Sequence, residues 1–600
     1  MVYKYSPLQP GQIRLLNLEI SNSAEIHIEL LNVGLDSAPP YEALSYRWLD
    51  NRITKHVVVS NQSCLPITRS LFDALRDIRL ATTGSVTRTL WADAICINQN
   101  DDPEKNDQIN RMDQIYYKAQ RVVTYIGEGD GNTEPAVALG RKMLDLAESS
   151  EPPPHGDREQ LFKEQCDYLG IPDSSKINDD DHSDPGIRGL QWMLDASWSR
   201  RLWIIQESLL NRNMLMMCGR FEMPWTMLSR LAALISQRRL PKLFRFSQSR
   251  NPDPDGGCAS SVLRMGRLRQ NFDRLTPIEI IQGANIMFCS DPRDKVYGLL
   301  GVFRYKTRSQ HAEVRDQKYE IAVNYQKPVA DVYVEAARFF LSETSDLRLL
   351  ASICNEPTVT ELPSWVPDWT DETEICLLSS QQGYMAAGGT SRILKIDDKT
   401  NRITLAGASI DRLAYVSDEL ITSVFDARAP HRCCLWLAEQ IDRIRRSNKY
   451  LNAVDAVWKT FIADTTRNKT SAEDSARALG YIVFSLNIVC RQCSAKECIK
   501  IPGIEARTGS ADCVGQLAHR SVARSFCITE NGYCGLVPKR SQIGDLVAVV
   551  RGGRVPLVFR ERGNEVLFIG EGYVHGLMHG EAIDGDTFRS PYKEREFIII

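Results

Sequence analysis

Thr89-Leu90-Trp91-Ala92-Asp93-Ala94, then Asn98-Gln99-Asn100-Asp101-Asp102-Pro103-Glu104, then Val122-Val123-Thr124-Tyr125-Ile126-Gly127, reads as strand, polar loop, helix and strand. The first run is short and apolar and ends at Asp93, the pattern of a strand buried on both faces. Asp102 is placed to cap a helix, Pro103 fits its first position, and Glu104 faces the positive end of the helix dipole. Ile109, Met112, Ile115, Tyr116 and Ala119 then share one stripe. The second apolar run stops at Gly127, a turn residue. Strands alternating with helices argue for a parallel sheet wrapped by helices.

Upstream, Glu42-Ala43-Leu44-Ser45-Tyr46 is a strand leading into Arg47-Trp48, Val57-Val58-Val59 is a second, and Thr68 can cap a helix bearing Leu71, Leu75 and Ile78. Residues 1–40 are an N-terminal extension to this domain. Downstream, residues 148–186 form a polar insertion, and a helix from Trp192 to Leu210 leads into a strand at Met214 to Cys218. The first domain therefore spans 41–220. Residues 221–380 look mainly helical, with Asp291-Pro-Arg-Asp-Lys at a turn and a helix from about Val329 to Leu341. From 381 to 600 the pattern is β, with strands at Arg392 to Ile396, Ile403 to Gly407, Ser525 to Thr529, Asp545 to Val550, Leu557 to Arg560 and Val566 to Ile569. A helical stretch at about 430–487 interrupts them. Each β half has too few strands to stand alone, so the two halves are expected in one small sheet or barrel.

A chain of 600 residues is too long for one core. Its 43% hydrophobic and 25% charged residues are those of a folded soluble protein. A net charge of −3 leaves no basic footprint, so nucleic acid is not an expected partner. The 16 cysteines lack regular spacing and read as reduced thiols. Met1-Val-Tyr-Lys-Tyr-Ser-Pro has no apolar leader, and the longest apolar run, Tyr481 to Cys490, is about ten residues, too short for a bilayer. A cytoplasmic location and no membrane span are expected.

The chemistry concentrates in Ser197-Trp198-Ser199-Arg200-Arg201-Leu202-Trp203-Ile204-Ile205-Gln206-Glu207. At helical spacing Trp203 and Glu207 share a face, with Gln206 one step round. A carboxylate against an aromatic wall can grip sugar hydroxyls and stabilise positive charge beside a flat ring. The alternative is a structural Arg201–Glu207 pair. Ser45 and Tyr46 stand at the C-terminal end of one strand and Asp93 at the end of another, where open α/β sheets bind ligands. Asp93 can accept from a ribose or orient Arg201. Trp48 and Trp203 can stack on a base or serve as core. Asn98 and Gln99 open the loop before the helix; the alternative is that they only satisfy the loop backbone.

Four segments in order, Tyr41-Glu-Ala-Leu-Ser-Tyr-Arg-Trp48, Leu90-Trp-Ala-Asp-Ala-Ile-Cys-Ile-Asn-Gln99, Gln108-Ile-Asn-Arg-Met-Asp-Gln-Ile-Tyr116 and Arg201-Leu-Trp-Ile-Ile-Gln-Glu207, together resemble the fungal heterokaryon-incompatibility (HET) domain. Asp291-Pro-Arg-Asp-Lys-Val-Tyr-Gly-Leu-Leu-Gly301, Leu362-Pro-Ser-Trp-Val-Pro-Asp-Trp369 and Gly570-Glu-Gly-Tyr-Val-His-Gly-Leu-Met578 look like segments that accompany it in larger members. Leu49, Ala92 and Lys105 depart from the usual pattern. The HET domain is in turn similar to the TIR fold, a flavodoxin-like parallel sheet, and some TIR domains cleave NAD with a helix-borne glutamate. Ser199-Arg-Arg-Leu-Trp203-Ile-Ile-Gln-Glu207 resembles the Ser-x-Trp-Cys-Leu-x-Glu pattern around that glutamate.

The resemblance implies a role in non-self recognition and programmed cell death. On it, Glu207 is the candidate catalytic residue, and Ser45, Tyr46, Trp48, Asp93, Asn98, Gln99, Arg201, Trp203 and Gln206 are candidate substrate-binding residues. The reaction would be cleavage of NAD or a related nucleotide at the N-glycosidic bond. The other reading is a non-catalytic scaffold that acts by self-association. No cofactor is expected, NAD being the candidate substrate. Candidate partners are further copies of the chain, through the HET domain, and an incompatibility partner protein. Cys490, Cys493, Cys498 and Cys513 lack zinc spacing, Gly576 and Gly580 argue against a metal helix at His575 and His579, and no metal is expected. Gly127-Glu-Gly-Asp-Gly131 has no helix behind it and reads as a turn.

Overall fold

Burial on both faces makes Glu42–Tyr46 a central strand, since all five of its residues are buried. The computed structural model describes residues 3–47, 53–60, 63–84, 86–149, 184–236, 259–310, 321–344, 347–373, 377–380, 383–420, 430–464 and 522–600. Trp48, Leu49, most of the 148–186 insertion, the Tyr481 to Cys490 run and the cysteines from 490 to 513 lie outside the described residues. The chain forms two units, Met1–Arg315 with Ala322–Gln326, and Asp316–Ile321 with Lys327–Ile600.

The first unit is built on strands β1 (Gln12–Glu19), β2 (His27–Gly34), β3 (Glu42–Tyr46), β4 (Ile53–Val59), β5 (Cys64–Thr68), β6 (Thr87–Trp91), β7 (Arg121–Gly127), β8 (Met214–Cys218) and β9 (Phe221–Pro224). They lie in one sheet in the order β5-β4-β2-β1-β6-β3-β7-β8-β9. β6, β3, β7 and β8 run parallel to their neighbours within that group. In chain order this parallel core reads 2-1-3-4, the flavodoxin arrangement, with its topological switch at β3. The sheet as a whole is mixed, because β1 pairs antiparallel with both β2 and β6. Residues 1–40, taken above as an extension, thus supply two strands. β1 also brings Arg14, which is fully buried against Glu104 at 2.9 Å and donates to the Cys96 carbonyl at 2.7 Å. Glu104 in turn accepts from the Asn98 backbone at 2.7 Å, so the loop after β6 is pinned by a charge from β1.

Thr68 caps the Arg69–Ala81 helix by accepting from the Leu71 backbone, as expected. At the Asp102–Lys118 helix, the cap is Asp101 rather than Asp102; its side chain accepts from the Glu104 backbone at 3.0 Å, which leaves Pro103 inside the first turn. The single helix expected from Trp192 to Leu210 is three pieces, Pro185–Leu194, a 3-10 turn at Ser197–Arg200 and Ile204–Leu210. The break is held by Phe288, which bridges to Arg201 by exchanging backbone bonds with Arg200 and Leu202.

The second unit holds the Val329–Glu343, Pro430–Ser447 and Ala453–Phe461 helices and strands β10 (Leu394–Asp397), β11 (Arg402–Leu420), β12 (Arg524–Thr529), β13 (Cys534–Pro538), β14 (Leu546–Val550), β15 (Leu557–Arg562), β16 (Glu565–Glu571), β17 (Tyr573–Val574), β18 (Ile583–Asp584), β19 (Thr587–Phe588) and β20 (Glu594–Ile599). β11 is 19 residues long and changes partner along its length, from β20 to β14 to β12. β14, β15, β16, β20 and β11 therefore pair in a closed ring. The change from β20 to β14 falls at Gly407, where a Cβ would stand 2.6 Å from the Val549 carbonyl oxygen and 2.7 Å from the Val550 Cα. Only glycine permits two strands to approach so closely. The Ile403 to Gly407 segment and the strands from 545 to 569 thus share one sheet, as the expectation required.

Candidate functional site

The C-terminal ends of β3 and β6 meet at the topological switch. Ser45 and Tyr46 close β3, and Asp93 follows β6 and opens a single helical turn, Asp93–Cys96. The Tyr46 hydroxyl donates to Asp93 Oδ1 at 3.1 Å. Asp93 Oδ1 also accepts from the Ala94 backbone at 2.8 Å, and the Asp93 carbonyl accepts from Gln99 Nε2 at 3.0 Å. Tyr46 is wholly enclosed, and burial with the Asp93 charge pushes its phenol far above the usual range.

The 3-10 turn and the helix after it reach over these strand ends. Trp198 donates to the Ser45 hydroxyl at 2.8 Å, and Arg201 donates to the Tyr46 carbonyl. Arg47 at the end of the same strand donates to the Ser197 hydroxyl. Glu207, 3% exposed, lies in the same neighbourhood. Burial pushes its carboxyl up to about 7; the Arg201 charge and the Ser45 and Tyr116 hydroxyls favour the ionised form, while Asp93 opposes it. Arg201 thus acts on Glu207 through its charge, while its guanidinium hydrogen-bonds to Tyr46. The Ser45 hydroxyl, accepting from Trp198, keeps its own proton to donate. Tyr116 is shared, its hydroxyl also donating to the Leu44 carbonyl at 3.4 Å. Glu207 Oε2 is buried with no hydrogen-bond partner among the described residues. Such an orphaned acceptor costs about 1–3 kcal/mol.

Ser45, Tyr46, Asp93, Arg201 and Glu207 are therefore one electrostatic cluster. Gln99 touches it through the Asp93 backbone, and Asn98 holds the loop, its side chain accepting from the Asn100 backbone at 3.3 Å. Trp203 and Gln206 bond elsewhere, to Asp294 Oδ2 at 3.2 Å and to the Gly301 backbone at 3.1 Å. Tyr116 and Trp198 were not among the candidates. Tyr116 falls on the apolar stripe of its helix, and its hydroxyl is the one sign that it does more than fill the core. Trp198 packs edge-on against Trp225, ring centroids 5.9 Å apart, and is covered except for its bond to Ser45. No group of three metal-binding side chains occurs among the described residues.

Residues 41–207 match the family model of the heterokaryon incompatibility protein (HET), and residues 506–593 match the Het-6 beta-barrel domain. Residues 41–207 are thus similar to the HET domain. The HET match begins at β3 and ends at Glu207, so it spans the cluster just described. The barrel match covers β12 to β19, part of the second unit's sheet and ring. The chain is also 25% identical to heterokaryon incompatibility protein 6, OR allele, of Neurospora crassa, over 95% of this chain and 94% of that protein. No solved structure matches it. No helix among the described residues is long and apolar enough to cross a membrane.

Proposed function

We propose that this protein acts in heterokaryon incompatibility, as an effector of cell death after non-self recognition, and that Glu207 is its functional carboxylate. The HET match and the similarity along 95% of the chain support the first part. One observation supports the second: a buried carboxyl with a partnerless oxygen and a pKa near neutrality sits at the switch point of an open α/β sheet. A fold keeps so costly a group where ligands bind when the group is used.

The chemistry that suits this cluster is N-glycosidic cleavage of NAD or a related nucleotide. Nicotinamide leaves as a neutral base from a cationic glycoside, so no general acid is needed. The C1′–N bond breaks, positive charge gathers on the ribose, and water adds to C1′ and releases a proton. Ionised Glu207 on the ribose hydroxyls would hold that charge. Arg201 and Ser45 favour this ionised form, and Asp93 and Tyr46 lie beside it to orient the sugar. Trp203, held by Asp294, would line the approach. The side chains over Glu207 must part for substrate to enter, a conformational gate of the kind many enzymes use. Assembly of several copies through the HET domain is the proposed trigger.

A second reading, a non-catalytic scaffold acting by self-association, draws support from the 3% exposure of Glu207. Locally concentrated full-length protein incubated with NAD separates the two. Nicotinamide release that falls at least about a hundredfold in Glu207→Gln supports catalysis. Equal cell killing by wild type and Glu207→Gln, with no NAD loss in either, selects the scaffold.

A further inference from the structure

The Ile204–Leu210 helix that carries Glu207 is seven residues long, and its N-cap residue, Trp203, makes no side-chain capping bond. So short a helix does not hold itself. Residues from much later in the chain hold it at successive points. The Phe288 backbone donates to the Arg200 carbonyl at 2.6 Å and accepts from the Leu202 backbone at 2.9 Å. Asp294 Oδ2 accepts from the Trp203 indole at 3.2 Å, and Asp294 Oδ1 accepts from the Tyr325 hydroxyl at 2.6 Å. The Gly301 backbone donates to Gln206 Oε1 at 3.1 Å. A Cβ at Gly301 would stand 2.4 Å from the Asp113 Cβ and 2.5 Å from that same Gln206 oxygen, so the strap passes at van der Waals closeness. At the far end Arg269 donates to the carbonyls of Ser208 and Asn211.

We propose that the strap from Phe288 to Gly301 positions the Glu207 carboxyl, with Asp294 as its positioning residue acting through Trp203. The path is short. The Glu207 backbone donates to the Trp203 carbonyl at 3.3 Å, so the residue whose indole Asp294 holds is also the residue on which Glu207 hangs. Asp294 is two-bonded and deeply enclosed, and burial raises its carboxyl to about 6, a cost that a mere loop turn would not retain. Arg293 braces the arrangement by donating to the Tyr325 carbonyl and pairing with Asp291 at 2.7 Å. The functional relevance of this positioning rests on the reading of Glu207 as the working carboxylate.

The test is hydrogen exchange by mass spectrometry on the full chain without substrate, comparing Asp294→Ala with Asp294→Asn. Asparagine keeps an acceptor for Trp203 and a partner for Tyr325; alanine keeps neither. Asp294→Ala should speed exchange over residues 200–210 about tenfold, the size set by losing charge-assisted hydrogen bonds, and leave β13 of the second unit unchanged. Asp294→Asn should restore protection, and nicotinamide release should follow the same order. If Asp294→Ala fails to fold, Trp203→Phe removes the same indole bond with the ring kept, and should speed exchange over the same residues. Unchanged exchange over 200–210, or no rescue by asparagine, overturns the proposal. A Glu207→Gln variant that releases nicotinamide as fast as the wild type would end the catalytic reading and leave the exchange result standing separately.

Discussion

Replacing Glu207 by glutamine should stabilise the first unit in neutral and alkaline solution. The carboxyl rises from an ordinary value of 4.5 to about 7 on folding, chiefly through burial. Below about pH 4.5 both the folded and unfolded forms carry the proton, and titration favours neither. Between about 4.5 and 7 the unfolded chain releases the proton while the folded one keeps it, so stability falls as the pH rises. That interval is about two and a half pH units, and at about 1.4 kcal/mol for each, the ionised glutamate costs the fold about 3 kcal/mol above pH 7. Glutamine has nearly the same shape and does not titrate. Its advantage over glutamate should therefore grow by about 3 kcal/mol between pH 4.5 and 8, and level off beyond. The measurement is urea unfolding at a series of pH values, read by pulsed hydrogen exchange in peptides from β3 and the Ile204–Leu210 helix, so that the first unit is followed by itself. A difference between the two proteins that does not change with pH refutes the argument. A difference that shrinks as the pH rises would mean that the carboxylate is the favoured form and that the buried oxygen has found a partner.

Three further outcomes are expected. Tyr46→Phe removes the hydroxyl that donates to Asp93 at 3.1 Å, and should cost about 1–2 kcal/mol, read as a lower melting temperature of the first unit. Glu571→Ala strips the buried partner from Arg524, 3.0 Å away, and from the Leu378 and Ser379 backbones; it should cost about 3–5 kcal/mol in urea unfolding of the second unit. Gly407→Ala forces a methyl group into the Val549 carbonyl and should lower that unit's stability by about 1–3 kcal/mol, visible as faster limited proteolysis.

The parallel core was legible because its strands are largely buried and read as short apolar runs followed by a polar residue or glycine. The Met214–Cys218 strand was placed to the residue for the same reason. β1 was not, because Gln12-Ile-Arg-Leu-Leu-Asn-Leu-Glu puts Arg14 in a core position, and only the fold supplies the Glu104 that makes a buried arginine tolerable. The helix across 192–210 was read as one piece because its apolar spacing continues through Arg201. The bond that breaks it comes from Phe288, a long-range fact with no local trace. β20 was missed because Glu594, Arg595 and Glu596 are exposed and look like a solvated tail, although Phe597 and Ile599 are buried. Within the site, Ser45, Tyr46, Asp93 and Glu207 stood out as polar residues at strand ends or beside tryptophans. Tyr116 and Trp198 were hidden by being good core residues as well.

The order β1-β6-β3-β7-β8 has a practical consequence for anyone who would study the HET domain cut at 41 and 207. Such a fragment keeps β6, β3 and β7 but loses β1 from one flank and β8 from the other. Leu16 and Leu18 no longer cover the bonds of Leu90 and Arg88, and Met214 to Cys218 no longer cover those of Val122 to Gly127. Both margins of the sheet would then present raw backbone donors and acceptors along apolar strands, the standard recipe for adventitious edge-to-edge pairing. Filaments or oligomers formed by that fragment would measure where the scissors fell, not how the intact protein behaves.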